Sequence, residues 1–465
     1  MEGLIIYILL LSIYNCVLFY GKNLGINVLL FNIPLLIFMI KSIKNNKKKI
    51  NKKGLLFGIP IILISLSYFL YNNVYFNLLN ILVITGLFLL MYVYTINPKN
   101  NIFHMIGELM NLLFMPLASI GELFKNVKKR ISSIISLSDR SKKIIKSLII
   151  IFPVVVIILI LLTSAVKEFN NMFRGFYKVL DKISIHEVVG RIVYIFILFV
   201  YLGAANIFLL KRYKKENKKS KFQIEDTTVK ILLTALNVIY IVFDIIQIKS
   251  LFLHNLSLNI SYAEYARHGF FRLMVISVIN VTLLLISKHS KNKDSKYNKI
   301  MSLLMVILTT IIIASSFMRM HLYEAAYGYT LLRLLVYYIL ITETVLLVPT
   351  IIYIFKNKFN VLNVYVVIIT ISYVILNFIP VNYIIARNNV DRYYKSKSID
   401  LGYLENHETD NIIILRELYD RTDDKSIKKE IKDYFKEVKK YNKIHGFQEY
   451  NISKVTGINT IKKVD

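Results

Sequence analysis

Residues 317–334 read FMRMHLYEAAYGYTLLRL. An apolar run ends at Phe317, a short polar stretch rich in Arg and Tyr follows, and a second apolar run starts at Leu331. Each run is roughly 20 residues long, enough for a helix to cross a hydrocarbon core of about 30 Å. The stretch therefore reads as a polar turn between two membrane-crossing helices, with Gly328 permitting the tight turn.

The same alternation fills the chain. Of 465 residues, 55% are hydrophobic, and they are gathered into blocks instead of being dispersed at a surface helix's period. The blocks cover 3–20, 24–40, 54–71, 74–96, 147–166, 191–210, 231–253, 269–287, 300–318, 330–355 and 361–379. This pattern predicts an all-α fold, a polytopic transmembrane helical bundle of about eleven spans with a small C-terminal helical tail. Four regions follow: a four-span region at 1–96, a cytoplasmic interfacial helix and basic loop at 97–146, a seven-span region at 147–379, and an extracytoplasmic helical tail at 380–465.

The net charge of +30 could suggest nucleic acid, but its distribution argues against that partner. Loops 41–53, 97–146, 211–230, 288–299 and 356–360 hold 31 Lys and Arg, whereas the alternate loops 21–23, 72–73, 167–190, 254–268 and 319–329 hold 7. Positive charge collects on the cytoplasmic side of a membrane protein. The bias predicts a plasma-membrane protein with its N-terminus in the cytoplasm and its C-terminus outside. The single cysteine, Cys16, excludes an internal disulfide and a thiolate zinc site. No basic residue precedes the first block and no small-x-small cleavage site follows it, so it reads as a retained helix.

Two stretches are ambiguous. Residues 101–124 are apolar enough to span but contain Glu108, Pro116 and Glu122. A crossing there would move the basic loops outside, so the stretch reads as an interfacial helix anchored by Lys125, Lys128, Lys129 and Arg130. Loop 167–190 carries Phe169, Met172, Phe173, Phe176, Val179 and Leu180 at helical spacing, which suits a surface helix. Beyond Ile379, helical patterns cover 411–419 and 427–441, the second with an Ile427, Ile431, Tyr434, Phe435, Val438 stripe.

Three Arg- and Tyr-rich boxes fall on one side under this threading: 261–271 (SYAEYARHGFF), 319–333, and 380–404 (PVNYIIARNNVDRYYKSKSIDLGYL). They resemble a domain-of-unknown-function family of uncharacterised bacterial integral membrane proteins. The resemblance rests on Gln247, the run 262–270, then Arg319, Leu322, Tyr323, Tyr327, Gly328, Thr330, Arg333 and Leu334. A third match takes in Ile385, Ala386, Arg387, Asn389, Arg392, Asp400, Tyr403 and Leu404. It covers roughly 190–410 and implies a multi-pass membrane fold in a bacterial cell membrane, with no established activity.

Arg319 and Tyr323 are four apart, as are Tyr329 and Arg333, so each pair is expected on one helical face. Guanidinium forks suit phosphate or carboxylate, and aromatic rings suit sugars or a headgroup boundary. Candidate binding residues for an anionic lipid or lipid-linked sugar are Tyr262, Glu264, Tyr265, Arg267, Arg319, Tyr323, Glu324, Tyr327, Gly328, Arg333, Arg387 and Arg392. The competing reading is an aromatic belt with arginines that pair to lock helix ends.

Inside the spans, Asp244 and Gln247 share one face of the seventh block and Glu343 lies mid-block in the tenth. Ionisable groups at that depth mark a proton or cation path, or an interhelical bond. Function is thus read as an envelope sensor or scaffold, with a transporter or flippase of an anionic lipid or small solute as the alternative. No nucleophile elbow or phosphate-cradling loop points to an enzyme. His254, His268 and His321 lack metal-binding spacing, so neither a metal nor a cofactor is expected.

Overall fold

The computed structural model describes residues 2–45, 51–96, 115–134, 185–212, 223–252, 262–292, 295–356, 359–405 and 409–462, together with residues 147, 151 and 155. The chain is an all-α polytopic helical bundle, and the helical form follows from the medium. Hydrocarbon offers no partner for a backbone N–H or C=O, so each crossing segment must satisfy its own. Among the described residues, nine helices are long and apolar enough to cross a membrane. The apolar part of the first helix, Leu4–Phe19, is shorter. The expected span at 147–166 and the expected helices over 101–114 and 167–184 lie outside the described residues. Two compact units divide the chain.

The first unit takes in residues up to 69, 80–216 and 444–450. Its α1 (Glu2–Phe19) and α2 (Ile26–Asn45) enclose a core of Leu4, Ile8, Leu11 and Phe38. A short α3 (Lys52–Leu55) leads into α4 (Gly58–Leu70), and α5 (Val74–Ile96) follows. Polar side chains tie the apolar helices together. Asn32 donates to Ser65 at 2.8 Å, and Tyr194 of α7 (Ile185–Arg212) donates to Asn15 at 2.6 Å. A 3₁₀ turn at Met115–Ser119 precedes α6 (Ile120–Ile134), so the basic anchors Lys125, Lys128, Lys129 and Arg130 lie on the helix and not behind it. Its Leu123 is buried against Gly203 of α7.

The second unit takes in 70–79, 217–443 and 451–465. Helices α8 (Asp226–Phe252), α9 (Tyr262–Ser287), α10 (Lys296–Tyr327), α11 (Leu331–Phe355) and α12 (Val361–Phe378) pack around Leu233, Met305, Met320 and Leu340. At one end, the loops before α8 and α10 meet in an isolated parallel bridge between Ile224 and Ser290. At the other end lie the α10–α11 turn, α13 (Val381–Ser396) and α14 (Leu401–Leu404).

The tail adds α15 (Ile412–Arg421), α16 (Lys425–Tyr441) and α17 (Ile452–Ile461). The stripe Ile427, Ile431, Tyr434, Phe435 and Val438 is buried as its spacing predicts. Asp424 starts α16 by accepting from the Ser426 and Ile427 amides.

One expectation is corrected. The polar stretch after Phe317 is not a turn: α10 runs on to Tyr327, because nothing before Gly328 breaks a helix there. The turn itself is only residues 328–330.

Candidate functional site

Gly328 ends α10 with φ +84°, a conformation that costs glycine nothing. A Cβ there would lie 2.4 Å from Asn389 Oδ1 on α13. The close approach lets one side chain serve a whole peptide unit. Asn389 accepts from the Tyr329 amide at 2.9 Å and donates to the Tyr329 carbonyl at 2.8 Å. Arg392 donates to the Ala326 carbonyl at 3.0 Å, one of the unpaired acceptors at the end of α10. The Leu331 amide, equally unpaired at the start of α11, donates to the Tyr403 hydroxyl at 2.7 Å. The second and third boxes therefore meet in space.

The first box joins them through its last residues. Phe270 stacks on Tyr323 at 5.8 Å, and its carbonyl accepts from Ser316 at 3.0 Å. Gly269 leaves room for the Arg319 guanidinium, which a Cβ would meet at 2.3 Å. Tyr262, Glu264, Tyr265 and Arg267 lie in the first two turns of α9.

The guanidinium groups have separate surroundings. Arg319 is 4% exposed and donates to Gln247 Oε1 at 2.7 Å, so it belongs to the helix interior. Arg333 donates to the Gly328 carbonyl and lies over the Tyr323 ring at 4.3 Å. The expected Tyr329–Arg333 helical pair does not form, because Tyr329 sits in the extended turn before α11. Arg387 binds Glu417 at 2.7 Å and Asp391 at 3.5 Å; the Glu417 bond and then Asp391 hold its proton more tightly than usual. Glu324 is buried, and its carboxylate accepts from Tyr329 and Tyr337. Burial, then that carboxylate, raises the Tyr329 phenol. Tyr327 is exposed.

Deeper in the unit, polar side chains form a string among α8, α9, α10 and α11. Asn237 donates to the Met301 carbonyl at 2.9 Å, and Tyr240 donates to Asn280 at 2.7 Å. Asn280 donates in turn to Thr309 at 3.1 Å. Glu343, 5% exposed, is bonded to Ser277 through Oε2. Asp244 is 2% exposed, and neither of its oxygens meets a donor among the described residues. Sequence reasoning found Asp244, Gln247 and Glu343 but missed the rest. The signal was present: Asn237, Tyr240, Asp244 and Gln247 recur at steps of three and four, one helix face.

An apolar groove of about 500 Å³ runs between α11 and α12 and ends against α13. Leu334, Ile341 and Val345 line one wall, Ile371 and Ile375 the other, and Val381 and Ile384 close its end. Among the described residues, no group of three or more His, Cys, Asp or Glu could hold a metal ion.

The profile of a family described as a domain of unknown function, DUF4153, matches residues 58–418. The match begins well before the 190 at which the boxes alone set the resemblance, taking in α4 and α5. No curated protein and no solved structure matches the chain.

Proposed function

The chain belongs to the DUF4153 family, whose function is unknown, and from the geometry of its second unit we propose that it binds an anionic lipid at the interface. The groove between α11 and α12 takes an acyl chain, and Arg333 takes the headgroup phosphate. The observation that carries this reading is the groove itself. It follows α11 from Leu334 to Val345, about 17 Å at 1.5 Å per residue. It is lined almost wholly by apolar side chains in helices long enough to span. Arg333 directly precedes Leu334, and one carbonyl bond leaves most of its five N–H donors for a phosphate. Arg319, half of the pair first expected to bind the anion, has a structural role in this proposal.

The loop bias in Lys and Arg supports a reading with this end of the unit outside a bacterial plasma membrane and the N-terminus inside. In support, loop 70–73, turn 328–330 and α13 bond to one another, and the charge count puts all three on one face. A sensor or scaffold of envelope lipid fits such a site.

Native mass spectrometry tests the proposal on protein reconstituted with equal phosphatidylglycerol and phosphatidylcholine. The parent should retain phosphatidylglycerol. Arg333→Ala should lose that preference while still holding lipid, and Ile341→Trp should hold none. A parent that retains no lipid, or both lipids equally, overturns the proposal. A second reading, a transporter, is favoured by the buried carboxylates; under it Asp244→Asn abolishes solute uptake while the protein stays in the membrane.

A further inference from the structure

We propose that Asp244 and Glu343 are proton-binding sites inside the membrane part of the second unit, each carboxyl holding a proton in this structure. The proposal goes beyond lipid binding and does not depend on it. Asp244 lies in α8 and Glu343 midway along α11, both in helices of spanning length. A bare carboxylate at that depth needs donors or a cation, or it is destabilised by several kcal/mol.

Asp244 has no donor on either oxygen among the described residues. Gln247, one turn further along α8, takes the guanidinium of Arg319 at 2.7 Å. Several other titratable groups within α8 to α12 are engaged elsewhere or are phenols. Glu324 is bonded to Tyr329 and Tyr337, Tyr240 donates to Asn280, and Tyr365 and Tyr373 are buried in α12.

Glu343 adds an argument from proton counting. Ser277 Oγ lies 2.8 Å from the Met274 carbonyl and also contacts Glu343 Oε2. A serine hydroxyl has one proton, and a carbonyl only accepts. If Ser277 gives its proton to Met274, the second bond exists only when Glu343 donates it, as a carboxylic acid. An ionised Glu343 makes the two acceptors share one proton in a three-centre bond, weaker than the two full bonds a neutral Glu343 allows. The other oxygen, Oε1, has no partner among the described residues.

A proton fits this pair better than a metal ion. Hard cations take six or more oxygen ligands. Among the described residues no acidic or histidine cluster approaches that number. A proton needs only the carboxyl oxygen it sits on.

The test is infrared spectroscopy of the full chain in phosphatidylcholine vesicles near neutral pH, reading the C=O stretch of protonated carboxyls. Beside any band of the tail's Glu405, which Glu405→Gln removes, two buried-carboxyl bands are expected, one lost in Asp244→Asn and the other in Glu343→Gln. Both variants should melt within a few degrees of the parent, because an amide stands in for the neutral acid. If a variant fails to insert, carbon-13 labelling of aspartate, then of glutamate, should each shift one band of the Glu405→Gln protein. A parent without such bands overturns the proposal. So does a parent whose melting temperature rises with sodium or potassium, which indicates a metal ion at the site.

Discussion

Burial, followed by the carboxylates of Glu430, Glu437 and Asp433, pushes Glu405 up to about 7. The native tail therefore holds a proton that the unfolded chain releases near the ordinary glutamate value of about 4.3. Stabilisation from that proton is complete below the unfolded value and is lost as pH rises through about 7. Glu405 is partly exposed, so solvent screening leaves about 1 kcal/mol of the effect. Protection of the 401–405 amides, taken relative to their intrinsic exchange rate at each pH, should fall from mildly acidic to mildly alkaline pH in the full chain, and Glu405→Gln should flatten the change. Single residues differ in how openly the sequence declares them. Asp244 and Glu343 stand out as charges in apolar blocks. Ser277 and Asn280 do not, because uncharged polar residues are common in spanning helices and only their partners give them meaning. Arg319 was visible and misplaced: its charge suggested the interface, whereas Gln247 gives it a place inside.

Hydropathy marks where an apolar run stops, but a helix stops only where its backbone must turn. The run ends at Phe317, yet α10 continues through ten more residues of good helix formers to Gly328. That extension carries Arg319, Tyr323 and Glu324 onto helical faces. Hydropathy was silent on α13 as well: its mean is polar, and the buried Val381, Ile385, Ala386, Val390 and Tyr393 stand out only once the helix is seen. The α10–α11 turn depends on one α13 side chain, Asn389. Asn389→Ala should leave the Tyr329 amide and carbonyl unpaired and cost about 1–3 kcal/mol. Asn389→Asp should also destabilise, because a carboxylate cannot donate to the carbonyl. Thermal unfolding in detergent checks both; an unchanged midpoint in both variants would show that the turn holds itself.

At the scale of the molecule, the spans were legible because a bilayer imposes one length on every crossing segment. The division into two units was not, since it depends on which helices pack and not on which helices exist. The proposed orientation rests on charge bias alone, and single cysteines in a Cys16→Ala background test it. Tyr75→Cys, Tyr327→Cys and Lys397→Cys, at exposed positions, should react with an impermeant thiol reagent on intact cells. Asn292→Cys, at the opposite end of α10, should react only once the membrane is opened. The reverse pattern would invert the protein. The tail carries a consequence for biogenesis. In the first unit the Asn23 amide donates to Glu449, and in the second the Asn72 amide donates to Asp410. These partners are 426 and 338 residues apart. At translation rates of roughly 5–20 residues per second, the first pair waits about 20–90 s for its second member. Until Glu449 and Asp410, respectively, have been made, these two early connections stand uncapped. A stalled or clipped chain that lacks those residues would stay in that state.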